Sequence, residues 1–213
     1  NMIIGFGRLD GRTVGIVANN PAEKQGAIDI NACDKEARFI RFCDAFNIPL
    51  VFFVDTPGFV SSEEEEKSRE GRIRNAAKPV FAICEATVPK VVVCIGKAWG
   101  PGRLAMGTPR EGMDLVLSWA SAQVARMDPK EVAETIWKDE IAESPHPEEV
   151  RRNRLEELLK TYIKFPFHAA EYLMVDDIID PRDTRPLLVS ALDLLANKPP
   201  EPRPWKKHSL IPR

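Results

Sequence analysis

Residues 50–54 read Leu-Val-Phe-Phe-Val and residues 91–95 read Val-Val-Val-Cys-Ile, apolar at every position. A strand with one wet face alternates polar and apolar. A run apolar on both parities needs cover on both faces, which a parallel sheet between helix layers supplies. Each run follows a segment of helical period. From about Asp29 to Phe46, residues Ala37, Phe39, Ile40, Phe42, Cys43 and Phe46 recur at spacings of three and four. From about Arg69 to Ala86 the corresponding face is Ile73, Ala76, Ala77, Val80, Ile83 and Cys84, with Pro79 expected to kink or divide the helix. Thr13 to Ala18 is another β-branched run, preceded by the turn Asp10-Gly11. Repeated strand–loop–helix units with strands of this kind predict a layered α/β fold with right-handed crossovers.

Beyond a short helix at Gly100 to Met106, the remainder reads as mostly helical. Asp128-Pro129-Lys130-Glu131 is a helix start with Asp128 as cap. Pro147 to Lys164 carries Val150, Leu155, Leu158, Leu159, Tyr162 and Ile163 on one face. Val175 to Ile179 reads as a short strand, and Asp183 or Thr184 caps a last helix ending near Leu195. With no low-complexity linker, residues 1–197 are expected to form one domain and 198–213, which holds five of the eighteen prolines, an extended tail.

Thirty basic against thirty-two acidic residues give no basic excess of the kind that marks a nucleic-acid binder. No uncharged apolar run approaches the ~18 residues of a membrane span. The start lacks the basic head of a signal peptide, so a cytoplasmic protein is expected, or the mature product of an organelle import; a first residue other than Met suggests an excised piece. Cys33, Cys43, Cys84 and Cys94 form no CxxC pair or Cys/His ladder; they read as reduced packing residues, and no metal site is expected.

Ligands in α/β sheets collect where strands end and helices begin. Two such ends are Asp55-Thr56-Pro57-Gly58-Phe59 and Gly96-Lys97-Ala98-Trp99-Gly100-Pro101-Gly102-Arg103. In the second, glycines let backbone approach a ligand and successive amides hold an oxyanion, although a plain structural turn would look the same. Side-chain chemistry is scarce. His146, His168 and His208 are scattered, and no serine sits in a GxSxG elbow. Asp55, Asp176 and Asp177 read as turn or capping carboxylates, and Glu63 to Glu66 as a solvated run. Trp99 could line a pocket or simply pack.

Several segments together resemble one family. They are Gly11-Arg12-Thr13-Val14-Gly15-Ile16-Val17-Ala18-Asn19-Asn20-Pro21, the run Ala37 to Leu50, Asp55-Thr56-Pro57-Gly58-Phe59, Ala86-Thr87-Val88-Pro89-Lys90-Val91, Val175 to Pro181, Thr184-Arg185 and Arg203-Pro204-Trp205-Lys206-Lys207-His208. The chain resembles the carboxyltransferase β-subunits of propionyl-CoA and methylcrotonyl-CoA carboxylases, with transcarboxylase and sodium-pumping decarboxylase relatives. The resemblance implies a crotonase-like fold, the ββα superhelix shared with ClpP, and the second, biotin-facing half of a two-half enzyme. It implies transfer of carboxylate between carboxybiotin and the α-carbon of an acyl-CoA, or the reverse decarboxylation. Biotin would ride on a carrier partner and the coenzyme A thioester would be the substrate. An acyl-CoA-binding N-terminal half or subunit would complete the site in a homo- or hetero-oligomer. Two pairs of backbone amides would do most of the catalysis, the biotin-side pair lying on the glycine loop.

That loop is where this sequence departs. The family usually has Gly-Gly-Ala-(Tyr/His), with donors on the second Gly and the Ala. Here the stretch is Gly100-Pro101-Gly102-Arg103, so Pro101 supplies no N–H while Gly102 keeps its own. Arg103 replaces an aromatic, and Leu104 holds a position associated with acyl selection. Ala120-Ser121-Ala122-Gln123 and Asp128-Pro129-Lys130-Glu131 also replace Pro-Thr-Ala-Glu and Gly-Pro-Glu-Gly. The resemblance thus names Gly100 and Gly102 as the donor loop, and Trp99, Arg103, Leu104, Pro57, Gly58 and Phe59 as its lining. It leaves two alternatives: a biotin-independent acyl-CoA decarboxylase or lyase, with Arg103 meeting a carboxylate, or a non-catalytic assembly subunit.

Overall fold

A computed structural model describes residues 1–60, 71–163, 166–199, 210 and 212, without the side chains of 162 and 163. Its sheet begins with a hairpin that the sequence reading half missed. Strand β1 (Met2–Leu9) runs antiparallel to β2 (Arg12–Asn19), from Met2 opposite Asn19 to Leu9 opposite Arg12. The two-residue loop is Asp10-Gly11, both at positive φ (48° and 78°), the twist that suits a tight hairpin. The turn was legible; the strand before it was not, because Gly5 and Gly7 dilute its pattern.

Strands β3 (Leu50–Thr56), β4 (Lys90–Trp99), β5 (Leu115–Trp119) and β7 (Asp177–Ile179) continue the sheet in parallel after β2, in the order β1-β2-β3-β4-β5-β7. Strand β6 (Gln123–Ala125) pairs with the far end of β4. The doubly apolar runs do face two cores. Leu50, Phe52, Val54, Val92 and Cys94 join a cluster with Ile40, Cys43 and Ile83 on one face. Val51, Val91 and Val93 join Leu188, Ala191 and Leu192 on the other.

Helix α1 (Ile30–Ala45) starts where the Asp29 carboxylate accepts from the Ala32 amide at 2.8 Å. Helix α2 (Arg72–Glu85) corrects two expectations. It is a single helix through Pro79, and its buried face is Asn75, Pro79, Ala82 and Ile83, while Ile73, Ala77 and Cys84 are exposed. The proline ring is itself apolar surface turned into the core, and packing there compensates the single helical bond that a proline removes.

The remainder is mostly helical as expected, but it also holds two strands that the sequence reading missed, Leu115-Val116-Leu117-Ser118-Trp119 and the short Gln123-Val124-Ala125. The helices that follow are α3 (Gly100–Ala105), α4 (Pro129–Ile136), α5 (Lys138–Glu143), α6 (Pro147–Leu158), α7 (Phe167–Glu171) and α8 (Thr184–Leu194). A wider turn, Leu159–Ile163, extends α6. Asp128 caps α4 as expected, accepting from the Lys130 amide at 2.8 Å. At α8 the Asp183 side chain makes no capping bond; instead Thr184 Oγ1 donates to the Pro181 carbonyl and accepts from the Trp119 indole. The anticipated strand from Val175 begins only at Asp177. Most of the 198–213 tail lies outside the described residues. Among the described residues no helix is long and apolar enough to cross a membrane.

Candidate functional site

The end of β4 is held from both sides: Ala98 pairs with Thr56 of β3 and with Val124 of β6. Asp55 pins the same region, its carboxylate accepting from the Lys97 amide at 2.9 Å while its own amide donates to Asn19 Oδ1 at 3.0 Å. It acts as a turn carboxylate, with no acid–base partner among the described residues. Asp176 behaves alike, accepting from the Val116 amide at 2.7 Å.

Past Asp55 the chain is fastened in a fixed bend. The Thr56 hydroxyl accepts from the Gly58 amide (3.2 Å) and donates to the Gly58 carbonyl (3.1 Å). That carbonyl also accepts from Ile28, and Val60 donates back to the Ile28 carbonyl, both at 2.9 Å. Helix α3 rests on this bend. A side-chain carbon on Gly102 would stand 2.6 Å from the Gly58 Cα, so the two predicted segments touch backbone to backbone through paired glycines.

Gly100 takes a φ of +53°, and Pro101 follows in the first helical turn. First-turn amides have no acceptor within their own helix. Among the described residues, no turn, loop or side-chain acceptor takes the Gly102 amide. Gly100 and Gly102 are buried, and Pro101 is exposed.

The other expected lining residues do not converge on one hollow. Trp99 is half-buried under Lys97, whose Nζ lies 5.2 Å from the ring centroid, and its buried indole N–H has no partner among the described residues. Arg103 is only 8% exposed, and its Nη2 donates to the Met174 carbonyl at 2.7 Å. Burial lowers the Arg103 pKa, and the nearby Arg126 and Arg110 act in the same direction. Leu104 is exposed, Pro57 is half-buried, and Phe59 packs against the main core.

Beside the loop lies a feature that sequence reasoning missed. A cavity of about 550 Å³ is walled by Val124, Met127, Val132, Trp137, Leu158 and Ala169, with Arg126, His168 and Tyr172 as charged or polar-headed members. It adjoins α3, because a side-chain carbon on Gly100 would sit 3.8 Å from the Arg126 carbonyl oxygen, and Met174 is also in its wall. Its members come from β6, α4, α6 and α7, and no single periodic segment announces them.

The remaining reactive groups are placed as follows. His168 sits 3.3 Å from Glu171, His146 is exposed, and His208 and Glu63 to Glu66 lie outside the described residues. Cys33, Cys43 and Cys94 are buried, whereas Cys84 is exposed, against the packing role expected of it. Burial pushes the Cys94 thiol up to about 11, so it is no nucleophile near neutrality. Glu36 was overlooked: it is 0% exposed, and neither carboxylate oxygen has a hydrogen-bond partner among the described residues.

A mostly parallel sheet between helix layers, with a glycine seam where its strands end, is the architecture of a crotonase-like α/β domain. Comparison with known proteins narrows the class. The model of the carboxyl transferase domain family matches residues 1–211. The methylmalonyl-CoA carboxyltransferase 12S subunit of Propionibacterium freudenreichii subsp. shermanii is 44% identical over 212 residues, covering 100% of this chain and 40% of that protein. The mitochondrial propionyl-CoA carboxylase beta chain of Homo sapiens is 44% identical over 213 residues, covering 100% of this chain and 37% of that protein. The crystal structure of the transcarboxylase 12S hexamer, with methylmalonyl-coenzyme A and methylmalonic acid bound, superposes with a TM-score of 0.91 at 44% identity, covering all of this chain and 40% of that one. The chain belongs to the carboxyl transferase domain family. It spans about 40% of the length of these relatives.

Proposed function

We propose that the chain is the biotin-facing half of an acyl-CoA carboxyltransferase, moving carboxylate between carboxybiotin and the α-carbon of an acyl-CoA in either direction. The carrying observation is the Gly58–Gly102 contact, which holds α3 with the Gly102 amide free of an acceptor in turns, loops or side chains among the described residues. Nearby carboxylates are spent on backbone amides, so charge stabilisation falls to the main chain.

The residues present fit the ureido oxygen of biotin with one donor where the family pattern has two. Carboxybiotin, when bound, supplies the carboxyl group and then the base for the α-proton. Gly102 would donate its N–H to the oxygen that gains charge. Pro101 contributes shape without a donor, and Gly100 sets the entry angle with its positive φ. Asp55 and Thr56 position the loop from beneath. Losing one donor of such a pair costs on the order of 3 kcal/mol. Pro101→Gly should therefore raise biotin-dependent turnover by roughly 100-fold; unchanged turnover would remove the loop from the mechanism.

The other participants belong to the same proposal: an acyl-CoA-binding half, on another chain or another part of this one, a biotin carrier, and a homo- or hetero-oligomer in the cytoplasm or the mitochondrial matrix. The test is to purify the chain with its natural partners and assay acyl-CoA carboxylation with and without avidin. Avidin-sensitive turnover is expected. Full activity in avidin would mean that biotin has been dropped, and no turnover in any reconstituted mixture would mean an assembly role.

A further inference from the structure

Going beyond carboxyl transfer, we infer that the cavity between β6, α4, α6 and α7 is a binding site for an aliphatic carboxylate, with the chain inside the cavity and the carboxylate on Arg126. Its volume of about 550 Å³ falls within the roughly 300–1,000 Å³ common for small-molecule sites. The wall is aliphatic and aromatic, from Val124 and Val132 to Trp137 and Leu158. Such a lining rewards methylenes and rejects a polar ligand body.

The charge argument is independent of the shape. Arg126 lines the cavity, and among the described residues it has no ion pair and no side-chain hydrogen bond. Arg103 stands behind the wall, nine-tenths buried, and donates to the carbonyl of the cavity residue Met174. Arg103 and Arg126 are close enough to repel. Glu111, which acts favourably on Arg103, is itself hydrogen-bonded by the Thr108 hydroxyl. Arg103 is a buried guanidinium hydrogen-bonded to a carbonyl, and Arg126 is exposed at the cavity mouth; an anion at that mouth meets Arg126 directly and eases the repulsion between the two cations. An amine or a neutral ligand would not. His168 at the rim is engaged with Glu171 and is not needed for the head group.

Two sources share this chemistry: a free fatty acid, and the alkyl branch of a carboxylated acyl thioester, whose reacting carbon would face the adjoining Gly100 loop. Isothermal titration of the full chain with straight-chain carboxylates of about four to ten carbons is the test. Affinity should rise about fourfold per added methylene until the cavity is full. Arg126→Gln should weaken each carboxylate by about tenfold or more, leaving the matching 1-alkanol unaffected. Val132→Phe should shorten the longest chain accepted. If Val132→Phe does not keep a normal melting transition, Ile136→Trp at the exposed rim serves the same purpose. Hexylmalonyl-CoA binding at least tenfold tighter than octanoate, with the same response to Val132→Phe, assigns the site to the thioester branch. Equal binding assigns it to the free acid. Affinity that is flat with chain length, or indifferent to both Arg126→Gln and Val132→Phe, overturns the site. These are binding readouts without turnover, so they stand or fall separately from the avidin assay.

Discussion

Glu36 shows how much one residue can hide from sequence reading. In the α1 pattern it falls between apolar positions and reads as a polar spacer, yet helix packing seals both of its oxygens away from any partner. Burial pushes its pKa well above the ordinary 4.5. The unfolded chain gives up this proton near pH 4.5 while the folded chain keeps it to higher pH. Folding therefore binds the proton, and this group weakens stability progressively as pH rises from that point toward the folded pKa. Glu36→Leu should stabilise the chain by about 1–3 kcal/mol at pH 8 and by clearly less at pH 4.5. Urea unfolding at the two pH values measures both numbers. An equal gain at each, or a loss at pH 8, would mean that the carboxyl has found a partner in solution. Arg103 is the converse case: its place in the loop motif is readable from the text, but its turn onto the Met174 carbonyl depends on a contact 71 residues away.

At the level of elements, legibility followed the strength of the local period. The doubly apolar strands β3 and β4, the capped helices α1 and α4, and the short helix after Trp99 all follow from pattern and cap chemistry. The misses have physical causes. Strand β1 carries glycines, β5 and β6 are too short to show a period, and the face of α2 rotates because Pro79 packs as an apolar side chain. The loop segments of the candidate site were readable as two separate strand ends, whereas their meeting at Gly58 and Gly102 was not, since close backbone approach leaves no periodic trace. Asp55 couples those ends. Asp55→Ala removes an acceptor from the Lys97 amide and should destabilise the chain by about 1–3 kcal/mol, lowering turnover with it. Asp55→Asn retains an oxygen at the same place and should recover most of both. Thermal melts alongside turnover in the reconstituted complex separate the two variants. If Asn behaves like Ala, the negative charge itself matters and the pinning role is wrong.

For the whole molecule, the decisive arrangement is that two hydrophobic layers share the same strands. Leu50, Phe52 and Val54 point into one layer and Val51 into the other, and Val92 and Val91 divide in the same way. Melting either layer strips the back of the strands that support the second. We therefore propose residues 1–197 as one cooperative unit, and calorimetry of the full chain should give a single transition whose van't Hoff and calorimetric enthalpies agree. Helices α4, α5 and α6 are attached differently, because they pack largely on one another and reach the sheet through the β6 end. Local openings are easiest where few contacts tie a segment to the main core. Amide exchange should accordingly be slowest in β3 and β4 and faster across α4 to α6, with a filled cavity slowing the latter selectively. Two resolved heat transitions, or protection in α4 to α6 matching that of the central strands, would contradict this picture. The first outcome would split the fold into independent layers, and the second would make the cavity wall part of the rigid core, with no opening to admit a ligand.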